Sequence, residues 1–271
     1  MVSQTHKGTA LITGASTGIG SVYADRLARR GYDLILVARN RQLLNSLASR
    51  ITDKTRRSVE VVAADLSDRR ELAVVESKLR TDSSITLLVN NAGVASVAPL
   101  LSSDVEHMDA MIALNVTALT RLTYAAVPGF VARGDGAIIN ISSIAAVAPE
   151  LLNGVYGAGK SFVLAFSQSL QHELPEKGIR IQAVLPGATR TPLWNHAGVD
   201  IDARAGGYVM SAEDMVDASL TGFDNGELVT IPALPNIADW NALESARLAL
   251  GPSLSRSQPA DRYNLNTRGA A

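Results

Sequence analysis

A tyrosine and a lysine four residues apart, Tyr156 and Lys160, share one face of the helix that their surroundings predict. A free phenol has a pKa of about 10 and is a poor proton donor or acceptor at neutrality. A cation beside it favours the phenolate and draws that value toward the working pH. Two serines, Ser142 and Ser143, stand just upstream, and Ser143 precedes Tyr156 by thirteen residues, close enough for the helix to return over one strand end. A serine hydroxyl there can hold a carbonyl oxygen while the phenol protonates it. The carbonyl carbon then needs a hydride, which protein side chains do not supply.

A place for such a donor lies at Ala10–Gly20, which reads Ala-Leu-Ile-Thr-Gly-Ala-Ser-Thr-Gly-Ile-Gly. The apolar run Ala10–Ile12 fits a buried parallel strand, and Ile19–Arg30 has helical spacing. Between them stand Gly14, Gly18 and Gly20. Strand, glycine turn and helix N-terminus make an anion site, where missing β-carbons let a pyrophosphate approach the backbone. Glycine spacing alone also fits an ordinary turn. Its place between the first strand and first helix of an alternating chain argues for a dinucleotide.

The elements that must hold these groups follow in order. Helical spacing is expected over Arg41–Thr52, Asp68–Thr81, Val105–Arg133 and Val155–Lys177. Strands are expected at Leu34–Val37, Val59–Ala63, Ile85–Val89, Ala137–Ile141 and Ile179–Leu185, and Glu227–Ile231 fits a seventh. Gly31 takes a helix C-cap position. This alternation predicts an α/β fold: a single doubly wound, Rossmann-type parallel sheet with helices on both faces. One domain is expected over 1–250, with an irregular cover at about 188–211 and a flexible tail at 251–271. Ligands bind beyond the carboxyl ends of such strands. The polar residues there are Thr13, Arg39, Asp65, Asn90, Ser142, Ser143 and Thr189 or Thr191.

Composition narrows the possibilities. A chain of 271 residues, 46% hydrophobic and 19% charged, suits a globular enzyme. A net charge of −1 gives no footprint for nucleic acid, and the absence of cysteine excludes disulfides and thiolate chemistry. The histidines His6, His107, His172 and His196 show no metal-ligand spacing, so no metal is expected, and His196 reads as a surface residue. No apolar run is expected to reach membrane-spanning length, and Met1–Lys7 lacks a signal peptide's apolar centre. The expectation is a cytoplasmic protein with no membrane partner.

Several separated motifs resemble the short-chain dehydrogenase/reductase family. They are the Thr13-Gly14 to Gly18 and Gly20 turn, Asn90-Asn91-Ala92-Gly93, Tyr156-Gly157-Ala158-Gly159-Lys160 and Pro186-Gly187, spread over about residues 7–231. The resemblance implies a tetrad of Asn115, Ser143, Tyr156 and Lys160. In it Tyr156 is the acid/base, Ser143 the second partner of the substrate oxygen, and Lys160 the holder of the nicotinamide ribose. Asn115 bends its helix and places a water on the proton path. The implied cofactor residues are Thr13, Gly14, Ser16, Thr17, Gly18, Ile19, Gly20, Arg39, Asp65, Leu66, Asn91, Ala92, Gly93, Tyr156, Lys160, Pro186, Gly187, Thr189 and Thr191. Among them Asp65 contacts the adenine amine and Thr191 the carboxamide. Ser142 competes with Ser143 for the serine role, and Asn115 also fits a helix residue facing solvent. The chain departs from the family pattern at Ala146, often a glycine, and in lacking a glycine-rich C-terminal ending.

The cofactor expected is NADP(H), since strand two ends at Ala38 without a carboxylate and Arg39 follows. Arg39 as a mere cap for the next helix is the plainer alternative. The leading function is interconversion of a ketone or aldehyde and an alcohol. The pocket residues Ala95, Ala145, Ala146, Val147, Leu151, Leu193 and Trp194 favour an apolar substrate. A sugar-nucleotide epimerase fits the glycine spacing less well, and a catalytically silent NADP(H)-binding sensor or scaffold is the alternative. Apolar positions Leu119, Leu122, Phe130, Phe162, Leu164, Phe166 and Leu170 exceed what one buried stripe requires. With the family's habit of pairing these helices, they predict a homodimer or homotetramer.

Overall fold

The computed structural model describes residues 7–263, and the readings made above for residues 1–6, for the tail beyond Tyr263 and for the side chain of His196 lie outside the described residues. Strand β1 (Thr9–Thr13) is buried at all five positions. Ala10 and Ile12 enter one apolar cluster and Leu11 another, as a strand with helices on both faces requires.

The chain continues through α1 (Gly18–Arg29), β2 (Asp33–Ala38), α2 (Arg41–Thr55), β3 (Val59–Ala63), α3 (Arg69–Thr81) and β4 (Ile85–Asn90). Then come α4 (Val105–Ile112), a π-helical segment (Ala113–Ala118), α5 (Leu119–Arg133) and β5 (Gly136–Ile141). The remainder of the sheet unit holds α6 (Gly154–Glu173), β6 (Ile179–Val184), the short α7 (Leu193–His196) and α8 (Ile201–Ala205), α9 (Ala212–Asp224) and β7 (Val229–Thr230). The seven strands are parallel in the order β3-β2-β1-β4-β5-β6-β7. The chain steps outward from β1 to β3, then returns to the other side of β1 at β4. That reversal opens the crevice above β1 and β4 where ligands of such sheets bind.

Helices α1, α2 and α9 cover one face with Tyr23, Leu27, Leu44, Leu47, Met215 and Phe223. Helices α3, α5 and α6 cover the other with Leu72, Val75, Leu122, Phe130 and Leu170. Helix α9 is an element beyond those expected from the sequence, and Ser211 caps it by accepting from the Asp214 N–H at 2.9 Å.

Two expectations need correction. Residues Val105–Arg133 form a 29-residue helical run with a window of mean hydropathy 1.3, long and apolar enough to cross a membrane, where no run of that length was expected. Its apolar residues serve the core: Ala118, Leu122, Ala125, Ala126 and Phe130 pack on the sheet. For the same reason the surplus apolar face is smaller than read. Leu119, Leu122, Phe130, Leu164 and Leu170 are already buried within the chain.

The chain falls into two compact units, divided between Pro232 and Ala233, whereas the sequence reading set a boundary at 250/251. The second unit contains α10 (Ile237–Ala249), capped by Asn236, whose Oδ1 accepts from the Ala238 N–H at 3.0 Å.

Candidate functional site

Gly14 and Gly18 adopt positive φ, +64° and +54°, which L side chains rarely take. A β-carbon on Gly20 would stand 2.3 Å from the Gly14 carbonyl oxygen, and one on Gly14 would stand 2.8 Å from Ala92 Cα. The turn is therefore a bare backbone cradle at the start of α1. Thr17 precedes that helix without a side-chain cap, and its first turn holds no acid, so the N–H groups there stay open to an anion. These features fit a dinucleotide pyrophosphate.

Thr13 and Asn91 hold the cradle against β4. The Thr13 hydroxyl accepts from the N–H groups of Asn91 and Ala92, both at 3.0 Å. The Asn91 amide donates to the carbonyls of Thr13 at 2.8 Å and Gly14 at 3.2 Å.

Arg39 follows β2 and lines the crevice beside Ala38, Ser16 and Thr17. The helix-capping alternative is occupied by Asn40, whose Oδ1 accepts from the Leu43 N–H at 3.0 Å. Arg39 itself is exposed and has no ion-pair or hydrogen-bond partner among the described residues. Asp65 and Leu66 line the same end, with Asp65 Oδ1 accepting from the Ser67 N–H at 2.9 Å.

The two serines after β5 part company. Ser142 Oγ donates to the Lys160 carbonyl at 2.7 Å, whereas Ser143 accepts from the Ala145 N–H at 3.1 Å and shares the cavity wall with Tyr156. Burial pushes the Tyr156 pKa above its ordinary value, and the Ser143 hydroxyl pulls the other way without prevailing. The drop toward neutrality expected from sequence is thus absent in this state. Lys160, 6% exposed, has its own pKa lowered by burial to about 8. Its Nζ lies 5.7 Å from the Tyr156 ring centroid and donates to the Ile141 carbonyl at 2.9 Å.

Asn115 sits inside the π-helical segment, 2% exposed rather than facing solvent. Its Oδ1 accepts from the Val94 N–H at 2.9 Å and its Nδ2 donates to the Val94 carbonyl at 2.8 Å.

A cavity of about 690 Å³ joins these parts. Its walls include Ser16, Thr17, Gly18, Ile19, Ala92, Gly93, Pro186, Gly187, Thr189 and Thr191 from the expected cofactor set, with Ser143, Tyr156 and Lys160. Thr13, Gly20 and Asn115 stand behind the wall rather than in it. Ala95, Ala145, Leu151, Leu193 and Trp194 line the apolar end as expected, joined by Val94, Leu152 and Ile201, while Ala146 and Val147 do not. The cover over 188–211 is more ordered than read. Thr189 bridges to Met210, Trp194 Nε1 donates to the Thr189 carbonyl at 2.8 Å, and Arg190 pairs with Asp202 at 2.6 Å. Thr191 roofs the glycine turn: a β-carbon on Gly18 would lie 3.2 Å from its Cβ.

The family model for short chain dehydrogenases matches residues 8–201. The chain belongs to the short-chain dehydrogenase family. Within it, the fold of a short-chain dehydrogenase from Sphingobium yanoikuyae in complex with NADPH superposes with a TM-score of 0.91 at 49% identity, covering 94% of this chain and 100% of that one. A bulky-bulky ketone specific alcohol dehydrogenase from Comamonas testosteroni gives 0.88 at 44% identity, covering 96% and 99%. An uncharacterized oxidoreductase of Staphylococcus epidermidis is 31% identical over 210 residues, 77% of this chain and 87% of that protein.

This short-chain dehydrogenase carries polar contacts near the site that sequence reasoning missed. Asn153 caps α6, and Asn90, expected at the ligand end of the sheet, is instead buried in a hydrogen-bonded chain with Thr123, Asn140 and Ser167 that links β4, α5, β5 and α6. The asparagine of an Asn-x-x-Tyr start to a helical pattern was a legible cap signal for the first. No local signal marks the second, because its members come from four separate elements.

Proposed function

We propose that this short-chain dehydrogenase interconverts a ketone and an alcohol with NADP(H), on substrates whose carbonyl carries bulky apolar groups. The observation that carries the reading is that Ser143, Tyr156 and Lys160 wall one cavity whose far end is apolar. Burial keeps the phenol protonated at neutral pH but makes it a weaker donor, so the cation of Lys160 beside it is what favours release of the proton. Tyr156 delivers that proton to the carbonyl oxygen while Ser143 fixes the oxygen's position. Lys160, with a pKa of about 8, stays mostly protonated at neutral pH and supplies positive charge beside the ring and N–H donors for the ribose hydroxyls. The bound nicotinamide supplies the hydride. Asn115 holds the Val94 backbone and so shapes the wall facing the phenol.

The cofactor preference rests on Arg39, which lines the cavity at the end of β2, where it has no partner among the described residues and Ala38 stands in place of an acid. An NADPH-bound relative and a ketone-specific relative agree with both halves of the reading. The protein is further proposed to pair through α5 and α6, where Tyr124, Phe162 and Phe166 form an outward ring stack.

The test is cofactor turnover with a panel of diaryl, aryl-alkyl and sugar ketones, with NADPH and NADH compared. Faster turnover of bulky apolar ketones with NADPH supports the reading. Cofactor binding without turnover of any ketone or alcohol would instead favour the silent sensor.

A further inference from the structure

We propose that Asn153 is a positioning residue that holds the wall of the substrate cavity in register with the helix bearing Tyr156 and Lys160; the kinetic part of this rests on the ketone reductase reading above. Asn153 is 5% exposed and immediately precedes α6. Its Oδ1 accepts from the N–H groups of Val155 at 2.9 Å and Tyr156 at 3.4 Å, capping the helix. Its Nδ2 donates to the Ala98 carbonyl at 2.6 Å, and its backbone N–H to the Ser96 carbonyl at 3.3 Å. Only one orientation of the carboxamide satisfies all of these, since the flipped one would set donor against donor and oxygen against oxygen.

A cap does not require an amide: serine, threonine or aspartate serves as well. The bond to Ala98 does require the amide donor. That bond matters because residues 94–98 have no helix or strand of their own, yet Val94 and Ala95 wall the cavity and Ala95 and Ser96 are buried. The segment is held from two sides. Asn115 brackets the Val94 backbone, and Asn153 holds the backbone at Ser96 and Ala98. One side chain thus fixes both where α6 begins and where the wall stands. Freeing the wall alone leaves the phenol, Lys160 and the glycine turn in place, so substrate binding and facial selectivity suffer before the turnover number does.

Asn153→Asp separates the two functions. The carboxylate keeps the cap, at a helix N-terminus that favours negative charge, and turns a second oxygen toward the Ala98 carbonyl. Asn153→Ser keeps a cap without reaching Ala98 and serves if the aspartate variant fails to fold. Hydrogen–deuterium exchange on the full chain without substrate is expected to speed up in 94–98 and stay unchanged in 154–160 for both variants. Asn153→Ala is expected to speed both. With the ketone that the wild type reduces best, KM is expected to rise about fivefold or more, kcat to stay within about twofold, and product enantiomeric excess to fall. Wild-type exchange at 94–98 in both the aspartate and serine variants overturns the proposal, as does a loss confined to kcat. A wild type that reduces no ketone defeats the functional reading and leaves the exchange result to decide this one.

Discussion

Lys160 Nζ donates to the carbonyl of Ile141 across 2.9 Å, and the Ser142 hydroxyl donates back to the carbonyl of Lys160 at 2.7 Å. The last residues of β5 and the first turns of α6 are clasped twice at the point where the chemistry is proposed. The ammonium in this clasp is buried, and its pKa falls from 10.5 to about 8.

That depression has a testable sign. Between pH 8 and 10.5 the unfolded chain holds a proton that folded Lys160 has released. This residue therefore makes the folded state more stable as pH rises through that window, and its cost is fully present below pH 8. Replacing it with methionine removes the effect. The stability advantage of Lys160→Met over wild type, read from urea midpoints without cofactor, is expected to shrink steadily from pH 8 to 10.5. A difference that stays constant across the window would refute the assignment.

Tyr156→Phe keeps the ring and its burial but removes the proton. The expected result is a kcat fall of at least about a hundredfold with NADPH affinity retained. Stopped-flow turnover and fluorescence titration of the cofactor check the two halves separately, and near-normal turnover would end the acid/base role.

Arg39→Ala is expected to weaken NADPH by about 1.5–3 kcal/mol, the range for hydrogen bonds to charged groups, and to leave NADH nearly unchanged. Asn40 remains as the cap of α2, so helix stability is not the cause. Calorimetric titration with both cofactors decides it. Equal losses would assign Arg39 a purely structural role.

Gly20→Ala places a β-carbon 2.3 Å from the Gly14 carbonyl oxygen and 2.6 Å from the Asn91 amide. Both neighbours are tied to β1 and β4 by hydrogen bonds and have little freedom to retreat. Stability is expected to drop by about 1–3 kcal/mol, as for an overpacked core, and cofactor affinity to fall with it. A variant with wild-type melting temperature and affinity would show that the turn is not pinned in this way.

Tyr124 is 69% exposed and stacks on Phe166 with ring centroids 6.4 Å apart and planes 3° from parallel. If α5 and α6 meet their copies across a two-fold axis, Tyr124→Asp sets a charge in a dry contact. Sedimentation at micromolar concentration is expected to show a dimer or tetramer for wild type and a smaller species for the variant. A wild-type monomer would remove the proposal.

The sequence by itself determined the alternation of strands and helices and the glycine turn, because each is written in residues that are neighbours along the chain. Ala10–Ile12 reads as a buried strand, and Gly14, Gly18 and Gly20 fall between it and the first helix. The Tyr156 and Lys160 spacing belongs to the same class, since four residues make one helical face. Several other matters needed the third dimension. Local sequence could not say that Ser142 turns to the Lys160 carbonyl while Ser143 shares the cavity wall with the phenol, because the return path of α6 decides it. It could not show that Leu119, Leu122 and Phe130 are consumed by the core, since their burial depends on how far α5 rotates against the sheet. Nor could it show that Asn153, a cap by pattern, also reaches Ala98. That bond spans 55 residues and exists only once β4, its following loop and α6 have packed together.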